Sequence, residues 1–377
     1  MSIIDRYLVR QFLRTFAIFF LSFTGLYVVV DTFSNLDDFL AYVEQEGNLL
    51  NVLTEYYGYR SLAFFNVTSG VLALIAAMFT VTGFQRTNEL TALLAAGISK
   101  RRIVKPVLIA AALISVLAIA NREFVVPRIR HELDRNAQSL SDDAGTTLKP
   151  RYDFRTRVFF GGARTFARDR RISKPALRLS GELAEYGDSL SAAEAYYVDA
   201  SDDHPGGYLL RGVTQPKEIA TRKPIAIDGE TTLFTPLEHA WLRPDECFLA
   251  SNVTFEHLAG ARSWRQYAST AELISGLHND ALELGPDIRV AIHSRFVQPL
   301  LDVALLFLGL PIVLSRENRN VFLAIAMCGA IVLGFMLLNL ACQALGSSGW
   351  LLPVVASWLP LFVCVPLAAL LADPLFE

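Results

Sequence analysis

From Asn320 to Ala372 the chain runs for 53 residues without one Asp, Glu, Lys or Arg. A helix that crosses a bilayer needs about 20 mostly apolar residues, so this stretch has room for two crossings back to back. The helix-breaking Gly346-Ser347-Ser348-Gly349 divides it, placing a fifth span at Val321–Leu345 and a sixth at Leu351–Leu371. Such a run excludes a wholly soluble enzyme. Across all 377 residues, hydrophobic side chains make up 53% and charged ones only 19%, which extends the same reading to the rest of the chain.

Four further charge-poor runs complete the set. They lie at about Phe12–Phe33 (uncharged from Thr15 to Val30), Ser61–Phe84, Ile103–Phe124 and Ala291–Leu314. The fourth span is the most polar, holding His293, Arg295 and Asp302. The first follows Arg6 and Arg10 without a small-residue cleavage pattern, so it reads as a retained span and not as a cleaved signal.

Orientation follows from where short loops keep Lys and Arg. Arg6, Arg10 and Arg14 precede or enter the first span; Arg86, Lys100, Arg101, Arg102 and Lys105 surround the loop between spans two and three; Arg316 and Arg319 lie between spans four and five. The segment Asn35–Gly58 has no basic residue and five acidic ones, Asp37, Asp38, Glu44, Glu46 and Glu55. Both termini are therefore expected in the cytoplasm. A polar insert after the third span is then expected outside it.

The chain divides at 1–125, 126–287 and 288–377. The middle part reads as an all-β domain of sandwich or jelly-roll kind, because short apolar or alternating runs recur between turn-prone clusters. Examples are Val158-Phe159-Phe160, Ala176-Leu177-Arg178-Leu179, Ala195-Tyr196-Tyr197-Val198, Tyr208-Leu209-Leu210 and Cys247-Phe248-Leu249. Helical stalks are expected at Pro127–Leu140 and Ser269–Leu277. The fold class is thus six transmembrane α-helices, three plus three, with an extracytoplasmic all-β domain inserted between spans three and four.

The inner loop between spans two and three carries the most information. Residues from about 87 to 97 read as a short helix: Thr87 or Asn88 can cap it, Glu89 suits the positive end of its dipole, and Gly97 can end it. Leu90, Leu93, Leu94 and Gly97 share one face by their spacing. An apolar helix with a carboxylate at its start suits docking into a groove of another protein. The same pattern also describes a helix resting its leucines in the lipid interface.

Other features carry less. Cys247, Cys328, Cys342 and Cys364 give no readable disulfide framework. A net charge of −3 argues against nucleic acid as a partner. The basic group Arg164, Arg168, Arg170 and Arg171 reads as a solvated strand or loop edge, and His293 as an interfacial anchor. No cofactor, metal set or catalytic constellation stands out, and without a Gly-x-x-x-x-Gly-Lys-Ser/Thr phosphate loop the chain is not itself an ATPase. Asp302 is a functional candidate because charge at membrane depth is costly, and Arg295 stands on roughly the same face.

Taken together, Glu89-Leu90-Thr91 with Ala96-Gly97-Ile98-Ser99 resembles the coupling-helix signature of the LptF/LptG family, permeases of the lipopolysaccharide-export ABC transporter. Ile4-Asp5-Arg6-Tyr7-Leu8 resembles that family's start, His293-Ser294-Arg295-Phe296-Val297-Gln298-Pro299-Leu300 and Leu308-Gly309-Leu310-Pro311 its fourth span, and Trp358-Leu359-Pro360 its sixth. The resemblance implies a pair of permease subunits, homo- or heterodimeric, driven by a cytoplasmic ABC ATPase dimer that grips the coupling helices. It also implies a single-span periplasmic LptC-like protein and lipopolysaccharide or another glycolipid as cargo. On that reading Glu89, Leu90, Leu93, Leu94 and Gly97 couple to the ATPase, while Tyr27, Asp31, Arg295 and Asp302 are candidates for the lipid cavity. Where family members often carry basic side chains near the outer end of the first span, this sequence has Asp31, Asp37 and Asp38. Two other readings compete: an exporter of the MacB/FtsX kind, which places its outer domain after the first span, and a scaffold or receptor whose β-domain binds a partner without transport.

Overall fold

In the computed structural model the described residues are 3–40, 48–134, 145–167, 169–201, 204–227, 229–315 and 321–371. Arg168, Arg316, Arg319 and the stalk expected beyond Asp134 lie outside them. The chain forms two compact units, one made of Met1–Arg128 with Gly285–Glu377 and the other of Ile129–Leu284.

The first unit is helical. Among the described residues, six helices are long and apolar enough to cross a membrane. The first span is Ile3–Ser34. The second, Leu49–Arg86, begins twelve residues before the apolar run does, because Asn48 caps it by accepting from the Leu50 amide at 3.1 Å. The third is Lys100–Ala120, continued by a wider π turn at Asn121–Val125. The fourth, fifth and sixth are Pro286–Ser315, Val321–Ser347 and Pro353–Leu371.

The fourth span is the hub and packs on the second, third, fifth and sixth. Small residues let it approach closely. A Cβ placed on Gly70 of the second span would fall 2.3 Å from Asp302 Oδ1, and one on Gly309 of the fourth would fall 2.4 Å from Leu74 Cδ1. Within a membrane, where lipid is as apolar as leucine, such close packing is a main source of helix association. The first span joins the second through an aromatic ladder: Phe19–Phe79 (ring centroids 4.9 Å apart), Phe20–Phe65 (5.6 Å) and Tyr27–Phe64 (5.5 Å). Its buried residues are Leu8, Phe12 and Phe16, while Ile18, Leu21, Leu26 and Val30 are exposed. That is the surface of a helix that expects lipid or a partner on its far side.

The second unit is a single antiparallel sheet of eleven strands, β1 (Thr146–Thr147), β2 (Arg151–Asp153), β3 (Val158–Gly161), β4 (Arg164–Phe166), β5 (Arg171–Ser173), β6 (Ala176–Leu179), β7 (Ser189–Val198), β8 (Gly207–Gln215), β9 (Ile225–Ile227), β10 (Glu230–Phe234) and β11 (Glu246–Ala250). The sheet forks at β7. Ser189–Ser191 pair with β6, which leads to β3 and β2, whereas Glu194–Tyr196 pair with β5, which leads to β4 and β1. On the other side of β7, the order is β8, β11, β10, β9. Alternation puts Val158, Phe160, Leu177, Leu179, Leu190, Tyr208, Leu210, Cys247 and Leu249 into one core. All five short runs singled out in the sequence lie in strands. Three short helices follow β11, at Phe255–Ala259, Ala261–Tyr267 and Thr270–Leu277, where the sequence suggested only the last.

Candidate functional site

The helix between spans two and three runs from Glu89 to Ala95. Asn88 occupies the N-cap position in a left-handed conformation (φ 60°), but its side chain makes no capping bond. Gly97 stands at φ +79°. There the Gly97 amide donates to Leu94 O (3.0 Å) and the Ile98 amide to Leu93 O (3.1 Å), the paired bonds of a Schellman ending. Only a glycine adopts that conformation without steric cost.

The shared apolar face expected from the sequence is divided by the fold. Leu90 is buried and belongs to the same core as Leu8, Phe84 and Ile103, with Leu93 and Ile98 partly buried against that core. Leu94 is exposed, as are Thr91, Ala92, Ala95 and Ala96. Leucine spacing says which residues share a stripe but not what covers it. Here one edge of the stripe anchors the helix to its own bundle, which leaves Leu94 and the small residues as the presented surface. Near the base of this loop, Gln85 Nε2 donates to Val313 O at 2.9 Å, tying the second span to the fourth.

Asp302 lies inside the helical unit, 7% exposed. Its Oδ1 accepts from Gln298 Nε2 at 2.9 Å and its Oδ2 from Ser115 Oγ at 3.2 Å. The carboxylate sits in the notch left by Gly70, so one side chain fastens spans two, three and four. A cavity of about 40 Å³ adjoins it, lined in part by Asn66, Gly70, Ser115, Arg122 and Gln298. That is room on the scale of water, well below the ~300 Å³ of a small-molecule site. Arg122 lies on the π turn and donates from Nη2 to Arg295 O at 3.2 Å, while Asn121 Nδ2 donates to Leu62 O at 2.8 Å. The Arg295 carbonyl thus joins this neighbourhood, and Gln298 and Ser115 donate to Asp302. Sequence reading missed Gly70, Ser115 and Gln298. Of these, only Gln298 leaves a local signal, standing one helical turn before Asp302.

Asp31 and Tyr27 meet the second span. Asp31 Oδ2 accepts from Tyr57 OH at 2.9 Å, and Tyr57 OH in turn accepts from Thr32 Oγ1 at 3.0 Å. Tyr27 stacks on Phe64 and meets Tyr57 edge-on at 6.1 Å. Among the described residues, no group of three or more His, Cys, Asp or Glu is placed to hold a metal ion.

These observations define a multi-pass membrane protein with three helices on either side, in sequence, of an antiparallel β unit. The family model for the lipopolysaccharide export system permease LptF/LptG matches residues 6–174 and 214–373. The chain belongs to the LptF/LptG family. It is accordingly a multi-pass inner-membrane permease, a non-catalytic transporter subunit. No curated protein matches it. The unmatched residues 175–213 contain β6, β7 and most of β8, the forked centre of the sheet.

Proposed function

We propose that the chain is the transmembrane subunit of an ABC transporter that extracts lipopolysaccharide or a related glycolipid from the inner membrane and passes it to a periplasmic bridge. A cytoplasmic ATPase dimer supplies the energy, and a second permease of the same family, or a second copy of this chain, completes the cavity. The observation that carries this reading is the Glu89–Ala95 helix: Leu90 anchors it to the bundle, and Gly97 ends it within two residues. A lever must be fixed at its root and open on its outer side, and this helix is both. Glu89 sits at its positive end as a polar contact for the ATPase, with Leu94 on the presented side and Leu90 and Leu93 as support. Tyr27, Asp31, Arg295 and Asp302 belong, on this reading, to the membrane half of the pathway, where Asp302 holds three spans in register.

The distribution of short-loop charge supports cytoplasmic termini and a periplasmic β unit able to meet a single-span LptC-like protein. Reporter fusions test that topology, with cytoplasmic activity expected at Asn318 and periplasmic activity at Ser348; the reverse would overturn it. The assembly is tested by purifying the tagged chain from its native membrane in mild detergent and identifying what accompanies it. Recovery of a nucleotide-hydrolysing protein and a second six-span subunit is expected. Recovery of periplasmic proteins alone would favour a scaffold.

A further inference from the structure

Arg6, Arg10 and Arg14 stand at i, i+4 and i+8 on the first span, so they lie on one face, about 6 Å apart along the axis. All three are exposed, and with Val9 and Leu13 they line a groove of about 470 Å³. Among the described residues, no carboxylate forms an ion pair or hydrogen bond with any of them. The face continues past Arg14 as exposed apolar surface, with Ile18 54% and Leu21 68% exposed. Basic heads opening onto an apolar track match the outline of an anionic phospholipid.

Membrane depth adds a second, independent argument. Arg14 and Asp31 are 17 residues apart, a rise of about 26 Å, whereas the hydrocarbon core is ~30 Å thick. At least one of the two charges is therefore drawn to the hydrocarbon boundary, and tilt of the helix only shortens the span further. Asp31 has Tyr57 as a donor. Among the described residues no carboxylate meets Arg14, and the anions that a bilayer supplies at that depth are phosphates.

We propose that Arg10 and Arg14, with Arg6 beside them, bind the phosphate of an anionic glycerophospholipid, whose acyl chain follows Leu13, Ile18 and Leu21 along the first span. Guanidinium suits this task because its fork of donors matches a phosphate in two parallel bonds, which a lysine ammonium does not. Assignment of the lipid to the cytoplasmic leaflet rests on the orientation proposed above; binding itself does not.

The test is native mass spectrometry of the full chain in detergent, titrated with dioleoylphosphatidylglycerol and, separately, dioleoylphosphatidylcholine. A saturable first site preferring the anionic phosphatidylglycerol is expected. The double variant Arg10→Gln/Arg14→Gln should weaken that site about tenfold or more, as expected for a lost charge-assisted contact. Arg101→Gln/Arg102→Gln removes the same charge from another part of the basic belt and should leave the site intact. Should the glutamine variant fail to fold, Arg10→Lys/Arg14→Lys keeps the charge and should still lower the preference. Equal loss in the two glutamine variants would mean general electrostatic attraction and would overturn the site. So would the absence of any lipid preference in the native chain, or displacement by millimolar inorganic phosphate, which would indicate a free-ion site. None of these readings depends on an ATPase, so the transporter assignment stands or falls separately.

Discussion

The two units solve the burial of polar groups in opposite ways. In the β unit polar residues are woven through the core: Ser251 donates to Asp153 Oδ2 at 2.6 Å, Tyr208 donates to Val253 O at 2.9 Å, and His257 takes the Thr254 amide at 3.2 Å. In the helical unit most backbone bonds run within the helices, and side chains add separate ties between spans: Gln85 to Val313 O, Asn121 to Leu62 O, Arg122 to Arg295 O, and Asp302 with Ser115 and Gln298. The β-unit groups are buried as deeply as any in the molecule, and each has a protein partner of its own. In the helical unit Asp302 gathers two donors on one side chain and sits in the notch of a third helix, at a depth where an unpaired charge is costly. Polar contacts in the β unit are thus spread over separate pairs, whereas in the helical unit one side chain, Asp302, carries two of them.

Steric probes should give the largest effects. A Cβ on Gly207 would fall 2.2 Å from Leu249 O, a backbone atom fixed in the β8–β11 ladder. Gly207→Ala should therefore cost about 3 kcal/mol, at the upper end for overpacking, and should lower the unfolding temperature of the β unit in calorimetry. Gly70→Ala meets the Asp302 side chain, which can turn aside only by losing its partners. It should cost roughly 1–3 kcal/mol, read as reduced thermal stability in detergent. Gly83, also on the second span, has open space where its Cβ would go, and Gly83→Ala should be neutral.

A pH scan separates the units next. Burial pushes the His257 imidazole down to about 4, with Arg151 adding to the effect, so the folded state keeps it neutral. Between its ordinary value near 6.5 and about 4, the unfolded chain binds a proton that the folded chain refuses. Stability of the β unit should thus be fully present above pH 6.5 and fall by up to about 3 kcal/mol as the pH drops to 4. His257→Gln should flatten that dependence in chemical denaturation followed from pH 4 to 7.5. The same slope in native and variant protein would remove His257 as its source.

The smallest contrast concerns Asp302. Asp302→Asn keeps an acceptor for Gln298 or Ser115 and should cost under about 1 kcal/mol, whereas Asp302→Leu strands both donors and should cost about 1–3 kcal/mol. Equal effects of the two on thermal stability would mean that charge, and not hydrogen bonding, holds the spans.

How much of this was legible depends on how local the signal is. The spans announce themselves through charge-free runs, and the strands through alternation, because each is a property of adjacent residues. The start of the second span at Leu49 is hidden, since the turns before Ser61 carry Asn51, Thr54 and Glu55 and look like loop. The fork in the sheet is hidden as well. The run Ala195–Val198 shows only the second half of β7, and nothing in it says that Ser189–Ser191 pair with a different neighbour. The Gly70–Asp302 notch joins residues 232 apart, and a lone glycine in an apolar helix gives no hint of what fills it. Leu90 and Leu94 look equivalent in sequence and diverge only once the bundle covers one of them.

That divergence provides the most direct test. A photo-crosslinking side chain introduced at Leu94, on the presented side of the loop helix, should capture a cytoplasmic nucleotide-hydrolysing protein when irradiated in native membranes. The same side chain at Leu90 should give no such adduct, and Glu89→Lys should weaken capture at Leu94 while membrane insertion is retained. Capture of the ATPase from Leu94 alone is the predicted result. An absence of any ATPase adduct at Leu94, with the chain correctly inserted and its partners present, would contradict the account.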